Sequence, residues 1–204
     1  MAGKLDIWQD ESGAVMVEVT VTLLLLLTLV FGVVEFSHAF YQWNSATKAM
    51  QAGARYAAVS DPIMPELSDI TGLRKVNGSD VVPGEEYKGT YSVVCSGKEG
   101  DCKCTGDECG VLSKNSYSPD AMDGIVAAMV KFYPKIRKQN VTVTYEHTKL
   151  GYAGRPGGPV PTITVSLSDL TFDFILLSAF VKSQSMPMPS FATTVTGEDL
   201  MSGS

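Results

Sequence analysis

The chain has 204 residues, 45% of them hydrophobic, and carries a formal net charge of -6 at pH 7. This length allows one domain of ordinary size together with an attached element. The acidic balance leaves no face for the basic stripe that phosphate binding requires, so a nucleic-acid partner is excluded. The charged residues cluster outside an apolar first quarter, and this asymmetry indicates a membrane anchor.

The anchor is predicted at residues 14–34, after a short polar leader at residues 1–13. Glu18 is the only charged residue among these 21 positions. As a helix the run is about 30 Å long, which matches the hydrocarbon thickness of a bilayer. A secretory signal peptide would have a shorter apolar core and a small-residue cleavage site after it. Here the helical pattern continues beyond the span, so we expect the anchor to be retained.

One helix is predicted to run from Ala14 to about Ser60, where Asp61-Pro62 ends it, because the residue before proline is disfavoured in a helix. Residues 35–60 of this helix are predicted to be amphipathic and to pack on a domain. The stripe that indicates this recurs every three or four positions and consists of Phe36, Phe40, Trp43, Thr47, Met50, Ala54 and Ala57.

Residues 61–204 are predicted to form a head domain of the α+β class with an antiparallel sheet. Its second helix is expected at residues 119–133, after the capping residue Ser118 and with proline at the first position. Alternating or β-branched segments predict strands at residues 87–95, 140–148, 162–170 and 190–199. The middle two are expected to form a hairpin with a long connection. Residues 172–180 are ambiguous between helix and strand.

Four cysteines lie in one polar loop, residues 95–109, as Cys95, Cys102, Cys104 and Cys109. An even number in a loop beyond an anchor predicts disulfides in an oxidising compartment, outside the cytosol. Their spacing is unlike that of common structural zinc sites. Cys102 and Cys104 are poorly placed to bond each other. Two pairings remain, Cys95–Cys102 with Cys104–Cys109, or Cys95–Cys104 with Cys102–Cys109.

Other polar residues offer little chemistry. Asp101, Asp107 and Glu108 could chelate calcium, but no EF-hand pattern is present and a solvated acidic loop is expected. His38 lies in the juxtamembrane helix, and His147 is expected on the surface of a strand. No nucleophile motif accompanies either histidine. We therefore predict a protein that is not an enzyme and that has no cofactor and no metal.

Gly13, four apolar residues and then Glu18 open a long helix, a layout that resembles type IV prepilins and pseudopilins. The continuation GVVEFSHAFYQWNSATKAMQAGARYAAV is similar to TadE-like pseudopilins of the tight-adherence (Tad, or Flp) pilus system. In that family a Glu-Phe pair precedes an aromatic-rich turn, and the segment ends with Gly-Ala-Arg-Tyr-Ala. NVTVTY and GYAGRPGGPVPTITVSL resemble the head of the same family. The resemblance implies a type IV pilin-like α+β fold.

The resemblance also implies that a prepilin peptidase cuts after Gly13 and leaves Ala14 as the new N-terminus. Glu18, one helical turn away, would then neutralise the new ammonium or that of a neighbouring subunit. The alternative is that Glu18 lies near the cytosolic interface, where its carboxylate reaches water. Glu35 lies at the opposite interface, where solvation or a contact with the head explains it.

The function implied is that of a minor pseudopilin that helps to assemble a pilus used in surface adhesion and biofilm formation. The expected location is the bacterial inner membrane, with the head in the periplasm. Expected partners are membrane lipid, other pilus subunits, prepilin peptidase and the tight-adherence assembly platform. The alternatives are an uncleaved single-pass anchor with a scaffolding or ligand-binding head, and an envelope enzyme with a metal in the cysteine loop.

Two departures from the family pattern limit what is carried over. Family leaders usually carry several basic residues, whereas this one has Lys4 against Asp6, Asp10 and Glu11, so the positive-inside signal is weak. His38 stands where relatives often have arginine, so no role of that position is transferred. The short head favours a TadE-like subtype over the related TadG-like proteins.

Overall fold

The computed structural model describes residues 12–73, 81–110, 112, 116–155, 159–175 and 185–197. Helix α1 spans Ser12–Val59, 48 residues, and ends just before Asp61-Pro62 as predicted. The described residues form two compact units. The first contains those up to Tyr41 and those from Phe172 to Met186, and the second contains Gln42–Thr171 and those from Pro187 onward. The backbone of α1 continues from one unit into the other.

A five-stranded antiparallel sheet forms the centre of the second unit. Its strands are β1 (Ser92–Ser96), β2 (Asp101–Thr105), β3 (Val141–Leu150), β4 (Val160–Leu167) and β7 (Phe191–Thr196), in the spatial order β2-β1-β3-β4-β7. Strands β3 and β4 pair antiparallel, which confirms the predicted hairpin. The α+β class with an antiparallel sheet is therefore confirmed.

Two elements differ from the sequence-based expectation. Strand β2 carries Cys102 and Cys104 and pairs with β1, where an irregular cysteine loop was expected. The ambiguous segment begins as β5 (Thr171–Asp173), which pairs with β6 (Ser185–Pro187) in a two-stranded sheet. The rest of that segment, residues 176–180, lies outside the described residues.

Alternation along β3 and β4 places one side of the sheet in the core. Six residues of these strands are fully buried: Val141, Val143, Tyr145, Ile163, Val165 and Leu167. The residues between them are half-buried, as expected for a sheet with one covered face. The Tyr145 hydroxyl accepts a hydrogen bond from the backbone N–H of Ile63 at 3.2 Å, which joins the segment after α1 to the sheet.

Helix α2 spans Pro119–Val130, shorter by three residues than the predicted 119–133. The Ser118 hydroxyl accepts a hydrogen bond from the backbone N–H of Ala121, and Pro119 occupies the first helical position, as the sequence predicted. Met122, Ile125 and Met129 are fully buried on one face.

Two glycines allow α1 and α2 to approach closely in the second unit. A Cβ on Gly53 of α1 would lie 2.6 Å from Met129 Cγ, and a Cβ on Gly124 of α2 would lie 2.7 Å from the Tyr56 hydroxyl oxygen. The buried face of α1 consists mainly of small residues, namely Ala46, Ala49, Met50, Gly53, Ala54, Ala57 and Ala58. The two glycines leave room for the side chains of Met129 and Tyr56, which pack against them.

The predicted packing stripe is correct only in its second half. Met50, Ala54 and Ala57 are buried, whereas Phe36 and Phe40 are 73% and 59% exposed. The spacing of the stripe predicts which side of the helix packs. It does not predict at which residue along the helix the packing begins. Burial in the second unit begins at Gln42, whose side-chain oxygen accepts a hydrogen bond from the Tyr133 hydroxyl at 3.3 Å.

Replacing Gly53 by leucine tests the close approach of the two helices. The new side chain would overlap Met129, and overpacking of this kind costs about 1–3 kcal/mol of unfolding free energy. Gln51→Leu is the matched control, because residue 51 is exposed on the same helix. Thermal unfolding of the full chain in detergent should show a lower midpoint for Gly53→Leu alone. Equal midpoints for the two variants would contradict this packing.

Candidate functional site

The predicted cleavage residues lie in the first turn of α1. Gly13 is helical, because α1 begins at Ser12, whereas the sequence had suggested a helix beginning at Ala14. A Cβ on Gly13 would meet no atom within 4 Å. Ala14 is exposed. Both residues are therefore accessible in this structure, but cleavage between them requires the first helical turn to open.

Glu18 is an exposed carboxylate on an apolar helix. It follows Ala14 by one turn, about 6 Å along the axis. It shares one face of α1 with Thr22 and Leu26. The sequence contains no lysine or arginine between Lys4 and Lys48, so no basic side chain of the neighbouring turns can neutralise Glu18.

The helix around Glu18 is apolar on every side. An 18-residue window of α1 has a mean hydropathy of 2.5, and none of it is buried within the chain, so α1 is long and apolar enough to cross a membrane. The hydroxyl groups of this part donate to backbone carbonyls of the same helix: Thr20 to Met16 at 2.7 Å and Thr28 to Leu25 at 2.8 Å. Internally satisfied hydroxyls suit an apolar surrounding, where water cannot serve as a partner.

Glu35 differs from Glu18 because it is buried, with only 4% of its surface exposed. One carboxylate oxygen accepts a hydrogen bond from the backbone N–H of Ile175 at 3.2 Å, and both residues belong to the first unit. Of the two explanations that the sequence offered, the contact with a later part of the chain is the one that the structure shows. No local pattern indicates this partner, because it lies 140 residues away in the sequence.

Comparison with known proteins bears on this same helix. The family model described as TadE-like protein matches residues 13–55. Residues 13–55 are TadE-like. This TadE-like segment begins at the predicted cleavage glycine, contains Glu18 and Glu35, and ends within the part of α1 that packs in the second unit. No curated protein and no solved structure gave a significant match to the chain.

The family match confirms the resemblance for the TadE-like segment and ends before the head. The similarity of residues 140–145 and 151–167 to the family's head domain therefore stays a prediction from the sequence. Residues 1–11 of the predicted leader lie outside the described residues.

The cysteines form two pairs in the second unit, Cys95–Cys102 and Cys104–Cys109. This is one of the two pairings that the sequence left open. Cys95 and Cys102 face each other across β1 and β2, and both are buried. Cys104 and Cys109 join the end of β2 to the 3-10 segment Asp107–Gly110 and are half-buried. The missed strand β2 explains the choice, because its register places Cys102 opposite Cys95.

The sequence predicts a solvated acidic loop in this region. The structure differs, because the acidic residues are not all exposed. Glu108 is only 7% exposed, whereas Asp107 is exposed and its carboxylate accepts a hydrogen bond from the Thr90 hydroxyl at 3.0 Å. Within the described part of the chain, no three His, Cys, Asp or Glu side chains are grouped so that they could hold a metal ion.

His147 is half-buried on β3 and is not the surface residue that the sequence predicted. Its ring contacts the rings of Tyr87 and Tyr91, with centroids 4.2 Å and 5.8 Å away. Its Nε2 accepts a hydrogen bond from the backbone N–H of Lys149 at 3.0 Å. Burial, followed by the charge of Lys149, lowers the pKa of His147. The imidazole therefore acts as a neutral packing group between two aromatic rings.

Removing each disulfide separately tests the different burial of the two pairs. Their sequence separations are 7 and 5 residues, so loop-closure entropy gives each about 2 kcal/mol. Cys95→Ala with Cys102→Ala should cost about 1–2 kcal/mol more than Cys104→Ala with Cys109→Ala, because it also truncates core side chains. Denaturant unfolding followed by Trp43 fluorescence measures both losses. A larger loss of unfolding free energy on removal of Cys104–Cys109 would contradict the greater burial of the Cys95–Cys102 pair.

Proposed function

We propose that this chain is a minor pseudopilin, a structural subunit needed to assemble a tight-adherence pilus used in adhesion and biofilm formation. The observation that carries the proposal is the TadE-like match at residues 13–55, which falls on an exposed apolar helix with one carboxylate near its start. In this proposal the protein works by helix packing. Its partners are the prepilin peptidase, other pilus subunits and the assembly platform.

Residues 14–34 would lie in the inner membrane before assembly and against the helices of other subunits afterwards. The large apolar side chains of this region are mostly 38–73% exposed, so the chain itself provides no cover for them. Covering a leucine or valine side chain contributes roughly 1.5–3 kcal/mol relative to leaving it in water. Lipid tails and neighbouring apolar helices both provide such cover, so the helix can pass from one to the other.

The head would lie in the periplasm, because its two disulfides require an oxidising compartment. The leader, with a single lysine, would remain on the cytosolic side, where the peptidase reaches it. Gly13 favours the opening of the first helical turn for cleavage, because glycine in a helix is less stable than alanine by roughly 0.5–1 kcal/mol.

Cleavage after Gly13 would create an ammonium group one turn before Glu18. An ammonium and a carboxylate that leave water together are each stabilised by the other, whereas either alone is costly to bury. Because no lysine or arginine occurs between Lys4 and Lys48, Glu18 is available for this amine, on its own chain or on a neighbouring subunit.

The mass of the N-terminus tests the proposal. The protein purified from membranes of cells that contain a matching prepilin peptidase should begin at Ala14. Gly13→Leu should remain uncut because the peptidase site needs a small residue there, and Gly13→Ala should be processed better than Gly13→Leu. An intact leader on the wild-type chain, recovered alone, would support the uncleaved anchor instead. Equal processing of the two variants would contradict the need for a small residue at position 13.

Replacing Glu18 by alanine separates assembly from processing. Glu18→Ala should be inserted and cleaved, because the peptidase acts before the new amine exists. Its co-purification with other pilus subunits should fall about tenfold or more, because an unpaired ammonium must be buried. Glu18→Asp should recover part of it. Thr22→Ala, on the same helix face, is the matched control and should assemble normally. Wild-type recovery of cleaved Glu18→Ala would sink the pairing role.

A further inference from the structure

Three aromatic side chains lie uncovered on α1 just beyond the predicted span. Phe36 and Phe40 are 73% and 59% exposed, and their rings stack with centroids 6.4 Å apart. Tyr41 is 68% exposed. We call Phe36, Phe40 and Tyr41 the aromatic collar. A contiguous exposed apolar patch usually marks a surface that another molecule covers. The function proposed above assigns no partner to the collar.

The exposed surface of the span continues into the collar without a break. Leu29, Val33, Phe36 and Phe40 follow one another at intervals of four, three and four residues, which places them in one row along α1. All four side chains are more than half exposed. Because the row is continuous and apolar throughout, the collar suits the same surroundings as the span.

The acidic residue beside the collar faces away from this row. Glu35 is the only acidic residue of α1 after Glu18. It precedes Phe36 by one position, so the two side chains point about 100° apart around the helix. Glu35 is buried, and its carboxylate accepts the hydrogen bond from the backbone N–H of Ile175. A charged group near lipid is expected to turn toward its own chain and bond there, as Glu35 does.

The exposed side of α1 around the collar also lacks hydroxyl groups that depend on water. Of the exposed residues at positions 29–41, only Ser37 and Tyr41 have a polar side chain. The Ser37 hydroxyl donates a hydrogen bond to the backbone carbonyl of Val33 at 2.8 Å. A hydroxyl that bonds to its own helix needs no water, so Ser37 fits an apolar surrounding.

The length of this surface matches a whole bilayer and not only its hydrocarbon core. Between Glu18 and Lys48, α1 exposes no charged side chain, because Glu35 is buried and no lysine or arginine occurs there. From Ala14 to Phe40 the helix rises about 39 Å, whereas the hydrocarbon core is about 30 Å thick and the bilayer with its headgroups about 40–45 Å. With Ala14 at one surface of the membrane, the collar lies among the headgroups of the other.

The width of the collar favours lipid over a single partner helix. The side chains of Phe36 and Tyr41 point about 140° apart around α1. The seam that one packed helix covers is narrower than this. Lipid covers a helix on every open side. Tyrosine is enriched at the membrane surface, because its ring is apolar and its hydroxyl reaches water and headgroups.

We propose that the aromatic collar is a lipid-binding surface that lies among the headgroups of the periplasmic leaflet. This inference rests on the membrane span and the orientation proposed above. The rings of Phe36 and Phe40 cover the boundary of the hydrocarbon core, and the Tyr41 hydroxyl reaches the headgroups. The collar thereby sets the depth of α1 in the membrane. Ile175, which is bonded to Glu35 and 57% exposed, lies at the same depth.

Spin labels on the full chain in liposomes of phosphatidylethanolamine and phosphatidylglycerol test the proposal. The four native cysteines form two disulfides, so one added cysteine gives the only free thiol for a nitroxide. The labelled variants are Leu29→Cys, Phe40→Cys and Gln51→Cys, all at exposed positions of α1. Collisions of the nitroxide with oxygen, which concentrates in lipid, and with a water-soluble nickel chelate report the depth of each label.

The three labels should form a gradient of depth. The label at position 29 should lie in the hydrocarbon core, and the label at position 40 about 16 Å nearer to water, among the headgroups. The label at position 51 should lie about 16 Å farther out and collide mainly with the nickel chelate.

A double variant tests whether the aromatic side chains hold this depth. Phe36→Ser with Tyr41→Ser should shift the label at position 40 toward water, because serine has no apolar ring to place in the membrane. Asn44→Ser is the matched control, since residue 44 is exposed on α1 outside the collar, and it should leave the depth unchanged. An unchanged depth in the double variant would show that the collar does not anchor the helix.

The other outcomes separate the collar from the span. A label at position 40 that is as open to nickel as the label at position 51, with position 29 in lipid, would overturn the collar and leave the span intact. A label at position 29 that is also open to nickel would contradict the span and the proposed function with it. Dipolar broadening at position 40 that disappears on dilution with unlabelled chain would show that a second copy covers the collar.

Discussion

Helix α1 must satisfy two different surroundings with one continuous backbone. Its first half is apolar on every side and has no cover from the chain itself, whereas its second half buries a face of small residues in the second unit. No proline or glycine interrupts α1 between Gly32 and Gly53, so the change of surroundings occurs within unbroken helix. Two carboxylates lie near the ends of the apolar stretch. Glu18 is exposed, whereas Glu35 is buried and accepts a hydrogen bond from the backbone N–H of Ile175.

Much of this fold follows from local sequence signals. The length of α1, the capped start of α2 at Ser118 and the alternation of β3 and β4 are local properties, and each was predictable. Strand β2 was not, because it is short, rich in polar residues and stable only through its pairing with β1. The extent of the packing face was also not predictable, because it depends on where other elements meet the helix. Phe36 and Phe40 show this, since they have the correct phase but are exposed.

The candidate functional residues also differ in how far the sequence alone reveals them. The arrangement of Gly13, Ala14 and Glu18 can be read directly from the sequence because it is a local motif. The partner of Glu35 is a backbone N–H 140 residues away, which no local pattern reveals. The burial of His147 likewise depends on Tyr87 and Tyr91, which lie far from it in the sequence. A charged residue in a polar loop is usually solvated, and only the fold shows that Glu108 is an exception.

The central proposal is that residues 14–34 cross a membrane and that the head, residues 61–204, lies outside the cytosol. Trypsin added to spheroplasts that express the chain tests this most directly, because exposed lysines such as Lys98 and Lys103 lie beyond the span. The account predicts loss of the head and survival of a membrane-protected fragment that contains residues 14–34. In sealed inverted vesicles the head should be protected. Digestion of the head only in inverted vesicles, or release of the intact chain from membranes by carbonate, would contradict the account.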